Sequence, residues 1–231
     1  MTQPIRPTHL SEHAERTLHA LAAAGLGHTI SLGGALGLLH YLDYRSTHDV
    51  DAWWAPVASA EDRKRVLQVV KDTLQASGDI RTRQWGEVVS IELIVAGKTV
   101  FSFQVADRSA QLEPSSTLPW TEVSIDSLPD LVASKMVALV ERGAPRDFRD
   151  IYVLCHSGLM KAGECWSLWR QRQQRAGSDT DAHRARLALS THLSRIAQHR
   201  PLTNITDQDQ RAEAESLRTW FTTEFPDALL D

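Results

Sequence analysis

A glycine pair divides a short β-like run from an apolar helix here, and a second β-like run carries two acids two residues apart. Few folds accommodate that order. Residues 28–54 read HTISLGGALGLLHYLDYRSTHDVDAWW. Thr29, Ile30, Ser31 and Leu32 suit a strand that ends at Gly33-Gly34, and Ala35 to Tyr41 suits a helix. Arg45-Ser46-Thr47 then leads into Asp49-Val50-Asp51. Side chains two apart on a strand share a face, so Asp49 and Asp51 present their carboxylates together while Val50 turns into the core. Two hard oxygen donors side by side suit Mg²⁺, which binds through a few carboxylates plus substrate phosphates. The glycine pair opening a helix suits the phosphates themselves, because bare backbone N–H groups and a positive helix end both attract an anion. It is not a dinucleotide fingerprint, since the spaced third glycine is missing. The stretch implies a phosphate cradle and a metal site on adjoining elements of one small sheet.

The flanking residues predict the elements around it. Residues 9–24 read as a helix with Leu10, Ala14, Leu18 and Leu21 on one face, stopped by Gly25. Ser59 and Asp62 are spaced to cap a helix reaching about Ala76. Residues 88–105 read as a hairpin turning at Ala96-Gly97-Lys98, with Val89, Ile91, Leu93, Phe101, Phe103 and Val105 in alternation. On that hairpin Glu92 is read two ways, as a third metal carboxylate or as a solvent-facing residue of a half-buried strand; Gln104 offers a carbonyl oxygen without charge. Residues 107–125 read as loop, with Pro114 and Pro119. Asp126 to Arg142 reads as a helix with Val132, Met136, Leu139 and Val140 on one face and Lys135 at its border. A second helix buries Phe148, Ile151, Tyr152 and Cys155 and carries Asp147 and Asp150 on its flank. Lys135 is read either as a cation that neutralises a triphosphate as charge builds or as a lysine reaching past apolar neighbours to water. Asp147 either orients a substrate hydroxyl or that lysine, or complements the helix dipole.

These stretches carry a resemblance. GGALGLLHYLDYRSTHDVD resembles the first motif of the nucleotidyltransferase superfamily with the DNA polymerase beta fold, and more narrowly the AbiEii/AbiGii toxin family, which reads R-x-[ST]-x-D-[IVL]-D after its glycine helix. GKTVFSF is similar to that family's following strand. Lys135, Ala138, Leu139, Arg142, Arg146, Asp147, Phe148, Asp150, Ile151 and Tyr152 match its K-x-x-A-L…R…[RK]-D-F-x-D-[IL]-Y segment. The resemblance covers about residues 28–156. It implies an α+β fold, a small mixed polymerase beta-like sheet flanked by helices, with a nucleotidyltransferase core over 1–125 and a helical region over 126–231. It implies catalysis by Asp49, Asp51, Lys135 and Asp147; nucleotide binding by Gly33, Gly34, Arg45, Thr47 and Lys135; and metal at Asp49, Asp51 and Glu92. The expected cofactor is Mg²⁺ or Mn²⁺, with a nucleoside triphosphate as substrate, an RNA such as tRNA as acceptor, and a cognate antitoxin as partner. Arg146 and Asp150 are read as structural ion-pair partners. The alternative is a protein of this fold that binds nucleotide without catalysis, as a scaffold or regulator. Small-molecule nucleotidylation is a third reading.

Composition narrows the rest. A formal charge of −4 excludes a bulk polyanion binder, so any nucleic-acid contact must use a local patch. Residues 161–200 carry eight basic side chains against three acids, and residues 201–231 two against seven. The two segments are read as neutralising one another across a bundle, or else as an arginine surface facing RNA. Cys155 and Cys165 have no metal-type spacing and do not make a disulfide framework. With a polar start and no apolar run of membrane-spanning length, the expected setting is the reducing cytoplasm with no membrane contact.

Overall fold

The computed structural model describes residues 3–229. The chain forms two compact units that divide after Leu131.

In the first unit, α1 (Glu12–Ala23) starts at Ser11, whose hydroxyl accepts the Ala14 N–H. Next come β1 (Ile30–Leu32), α2 (Gly34–Leu39) and β2 (Asp49–Trp54). The helix α3 (Ala60–Gln75) begins with the capping box that Ser59 and Asp62 predict. Three strands follow, β3 (Asp79–Trp85), β4 (Val88–Val95) and β5 (Lys98–Ala106). Then come the short β6 (Ser116–Thr117) and β7 (Ser124–Ile125), and α4 (Leu128–Glu141) begins. The strands form one sheet in the order β3-β4-β5-β2-β1-β7-β6. It is mixed: β2 runs parallel to β5 and β1 parallel to β7, while the other pairs are antiparallel. The hairpin turns at Ala96 and Gly97, both at positive φ (50° and 75°), the combination a two-residue turn requires.

The alternation in β2, β4 and β5 separates two faces. Val50, Ala52, Trp54, Ile91, Leu93, Phe101, Phe103 and Val105 enter a core shared with Leu18 and Leu21 of α1 and Val66, Val70 and Leu74 of α3. Truncating a fully buried phenylalanine such as Phe103 costs about 3–5 kcal/mol. That face fixes the register, and so fixes which side chains the opposite face displays.

Two elements depart from the sequence expectation. β3 has almost no buried residue and hence no apolar alternation to announce it. β6 and β7 lie inside the expected loop, and β7 is held by pairing with β1, far away in sequence. The expected division at residue 125 falls six residues before the observed one. Ser127 caps α4, accepting the Asp130 N–H at 3.1 Å, and the buried Asp130 carboxylate accepts the N–H groups of Leu112 and Glu113 at 2.7 and 2.9 Å. The first turn of α4 is thereby tied to the preceding loop.

The second unit contains the rest of α4, then α5 (Pro145–His156), α6 (Ala162–Arg175), α7 (Ala182–His199), a 3-10 turn (Leu202–Asn204), α8 (Gln208–Thr222) and α9 (Glu224–Asp227). Aromatic side chains from α5, α6, α8 and α9 make its core. Phe148 meets Phe221 edge-on at 4.8 Å, and Trp166 donates its indole N–H to the Phe225 carbonyl at 2.8 Å. The basic and acidic segments meet at Arg186 and Asp227, 3.1 Å apart. Arg211 and Arg218 spend donors on the carbonyls of Ile205 and Arg200. Among the described residues, no helix is long and apolar enough to cross a membrane.

Candidate active site

The face of the sheet opposite the core of the first unit is polar, and its rows follow from strand register. Asp49 of β2 lies opposite Ser102 of β5, which lies opposite Glu92 of β4, which lies opposite Arg81 of β3. One row on, Asp51 lies opposite Gln104 and Gln104 opposite Ser90. Asp49 and Asp51 are both half-buried and share this face. The Ser102 hydroxyl donates to Asp49 Oδ1 at 2.7 Å, and the Asp49 N–H points at Thr47 Oγ1, 3.3 Å away. Thr47 thus shapes the turn that delivers Asp49 into the strand.

The glycine pair closes over the same face. Gly34 is at φ +56°, a region that favours glycine, and a Cβ there would come within 2.0 Å of Asp51 Oδ2. A Cβ on Gly33 would come within 2.6 Å of the Trp53 indole nitrogen. Gly34 lets the chain cross close to Asp51, and Gly33 lets it pass the Trp53 indole. The backbone N–H of Gly33 donates to the Asp51 carbonyl at 2.8 Å, so it serves strand pairing. The first-turn N–H groups of α2 have no intrahelical acceptor and are the donors an anion would meet here. With six residues, α2 is too short for its dipole to add much. Arg45 donates to the Ser46 carbonyl at 3.2 Å and lies over the Tyr44 ring.

The structure does not bring Glu92 to the acid pair. It sits two strands from Asp49, about 10 Å away at typical strand spacing. Its carboxylate is held by Arg81 Nε at 2.6 Å, with Arg83 at 3.7 Å. Among the described residues, no three His, Cys, Asp or Glu side chains gather as a metal-binding group. The positions directly beside Asp49 and Asp51 belong to neutral Ser102 and Gln104. A divalent ion still fits the acid pair, because two carboxylates on one face with a neutral amide oxygen on the adjoining strand offer hard donors, and Mg²⁺ commonly takes its remaining ligands from water and phosphate. Asp49 and Asp51 are the residues that would hold it.

A buried network braces this region, and sequence reading missed it. Asp126 is 1% exposed; its Oδ1 accepts the Ser31 hydroxyl and Arg108 Nη2, both at 2.6 Å. Its N–H donates to the Leu32 carbonyl at 3.0 Å, and its carbonyl accepts the Tyr41 hydroxyl at 3.3 Å. One residue therefore ties the strand before the glycine pair to the segment that follows α2. Burial pushes the Asp126 carboxyl up from its ordinary range, against the pull of Arg108 and Ser31. Ser102 was legible as the polar residue between two phenylalanines; Ser31 and Asp126 stand 95 positions apart and leave no local trace.

In the second unit, Lys135, Asp147 and Asp150 form a cluster of their own. The expected flank positions of Asp147 and Asp150 are fully buried, and Lys135 is 6% exposed. The ammonium lies 2.8 Å from Asp150 and 3.6 Å from Asp147. Arg142 grips Asp147 with Nε and Nη2 at 2.8 and 2.9 Å. Arg146 is exposed. Tyr152 and Cys155, expected on the buried face of α5, are half-buried, and Leu154 occupies the interior instead.

Residues 16–222 match the family described as nucleotidyl transferase AbiEii toxin, type IV TA system. No curated protein sequence matches significantly. A crystal structure of a candidate nucleotidyltransferase from H. pylori aligns at 15% identity over 94% of each chain, with a TM-score of 0.52. An antigenic nucleotidyltransferase-like protein from Paracoccidioides brasiliensis aligns at 15% identity over 91% of this chain and 94% of its own, with a TM-score of 0.42, too low to carry an argument. The first likeness speaks to the fold alone.

Proposed function

The chain belongs to the AbiEii family of nucleotidyltransferase toxins of type IV toxin–antitoxin systems, and from that premise we propose that it transfers a nucleoside monophosphate from a nucleoside triphosphate to an acceptor, in a reaction that depends on Mg²⁺ or Mn²⁺. The observation that carries this reading is the closeness of the Gly34 backbone to Asp51, on the strand face that also displays Asp49. A bound divalent ion supplies charge neutralisation for the phosphates and the attacking hydroxyl. The chain's own residues do the positioning. The N–H groups of Gly34, Ala35 and Leu36 receive phosphate oxygens. Ser102 and Thr47 hold Asp49 in place, so that it need not reorient when charge develops. Arg45 serves the nucleotide, and an RNA end such as that of tRNA is the acceptor class that the family resemblance favours. Lys135 and Asp147 are spent on one another in the ion cluster of the second unit, and the partner that restrains the activity is a cognate antitoxin. Phosphoryl-type transfer needs little beyond positioning and charge, so this set is sufficient.

Asp49→Asn and Asp51→Asn test the proposal, with α-labelled nucleoside triphosphate and a pool of tRNA. Each variant is expected to lose transfer while keeping its melting temperature. Unchanged transfer by both removes the reading.

A second reading has its own observation. Glu92 is committed to Arg81, and Gln104 rather than an acid stands beside Asp51. A nucleotide-binding scaffold needs no more than that. Calorimetry with nucleotide and Mg²⁺ that finds binding, together with no turnover of any of the four nucleotides, selects the scaffold.

A further inference from the structure

Cys155 and Cys165 take no part in the chemistry above. Cys155 stands in the last turn of α5 and is half-buried; Cys165 stands in the first turn of α6 and is fully buried. Residues 157–161 connect the two helices. That short reversal brings the thiols together, with Sγ atoms 3.7 Å apart in a hydrogen bond that either thiol can donate. A disulfide needs about 2.05 Å between sulfurs, so closure asks for a shift below about 2 Å, within reach of small χ1 rotations at two helix ends.

We propose that Cys155 and Cys165 are an oxidation site: a dithiol that hydrogen peroxide converts into an intramolecular disulfide joining α5 to α6. The two sulfurs have separate parts. Cys155 is the one that solvent reaches. Its sulfur attacks one peroxide oxygen; the O–O bond breaks, the thiol proton leaves with the departing oxygen as water, and Cys155 becomes a sulfenic acid. The sulfur of Cys165 then attacks the Cys155 sulfur. The S–S bond forms, the S–O bond breaks, and the hydroxyl leaves with the Cys165 proton as a second water. Two thiols are oxidised by two electrons in total, and one peroxide is reduced to two waters. The hydrogen bond to Cys155 and then burial push the Cys165 thiol up, which leaves Cys155 as the sulfur that peroxide meets first. The bond would stiffen α5, whose earlier turns carry the Asp147 and Asp150 carboxylates that hold Lys135.

The test uses the folded full-length chain, reduced and then exposed to a small excess of hydrogen peroxide. Intact mass is expected to fall by two hydrogens per chain, with a digest linking Cys155 to Cys165 and dithiothreitol restoring the starting mass. Cys165→Ser is expected to stop at a sulfenic acid on Cys155 that a dimedone probe captures. Cys155→Ser is expected to oxidise at least tenfold more slowly than the native chain. Sulfinic or sulfonic acid on Cys155 of the native chain without the cross-link, a bond between two chains instead of within one, or no reaction at all overturns the proposal. The native-chain measurement stands even if a serine variant fails to fold. It is independent of nucleotide transfer, so either reading can fail alone.

Discussion

Asp51 Oδ2 stands 2.0 Å from where a Cβ on Gly34 would lie. Gly34→Ala therefore carries two penalties. The backbone at φ +56° costs about 1–2 kcal/mol for a residue with a side chain, and the methyl drives the Asp51 carboxylate from its place. Gly25 is also at positive φ (+69°), but nothing lies within 4 Å of its Cβ position. Gly25→Ala is thus the matched control for strain alone. Both variants are expected to melt lower, while only Gly34→Ala loses transfer, by about 100-fold for a displacement of this size. Equal transfer by the two would separate the glycine turn from the chemistry.

Local pattern carried the organising unit from sequence to structure. The strand period put Asp49 and Asp51 on one face, and the spacing of Ser59 and Asp62 announced the start of α3. The failures have physical causes. β3 is an exposed edge strand, DIRTRQW, in which arginines alternate with short polar residues, so no apolar period marks it. A charge is ordinarily solvated, which points Asp147 and Asp150 to a flank. Lys135, twelve and fifteen positions earlier, supplies the counter-charge that lets them be buried. The residue type of Glu92 leaves two readings open, and register assigns it to Arg81, two strands from Asp49. Pairings set by long-range register have no signature in a local window.

Lys135→Ala removes the cation between two fully buried carboxylates. Breaking a buried ion pair from one side costs about 3–5 kcal/mol. Arg142 still compensates Asp147, whereas Asp150 loses the ammonium at 2.8 Å. Pairing Lys135→Met with Asp150→Asn is expected to recover more than half of the loss in urea melts at neutral pH. If the double variant is as unstable as Lys135→Ala, the cost lies in packing rather than in charge. Transfer by any Lys135 variant is interpretable only beside that melt.

Arg108→Met is expected to expose the burden that Asp126 carries. The carboxylate keeps the Ser31 hydroxyl but loses its counter-charge, at a cost of about 3–5 kcal/mol near neutral pH. The sign with pH follows from the carboxyl's raised position. The folded state holds its proton above the ordinary value of 3.8, where the unfolded chain has released it. The Asp126 contribution to stability therefore falls as pH rises from about 3.8 through the folded-state value. Removing Arg108 raises that value further, so the variant's deficit should shrink on acidification. Urea melts of both proteins at pH 5 and pH 7.5 check it; a deficit that does not change with pH refutes the charge argument.

His40 supplies the opposite slope. Its ring is 0% exposed and stacked on Trp120 at 5.9 Å, with Nδ1 2.9 Å from the Leu36 carbonyl, a separation that fits an Nδ1–H donor. Nε2 is buried without a hydrogen-bond partner, so a second proton there has nowhere to be satisfied. Burial pushes the imidazole below its ordinary 6.5, outweighing the opposing effect of the Leu36 carbonyl. Between the folded-state value and 6.5 the unfolded chain binds the extra proton and the folded chain does not, so stability rises with pH across that window. The His40 contribution is complete above about 6.5 and is lost as the solution is acidified toward the folded-state value. His40→Phe keeps an aromatic ring against Trp120 and gives up the hydrogen bond to Leu36, at a cost of about 1 kcal/mol that does not depend on pH. The native chain is expected to lose stability steeply between pH 7 and pH 5, and the variant to lose less over the same interval, so that their stability curves converge toward pH 5. Parallel curves would mean that other histidines drive the acid response and that His40 accepts its proton without penalty.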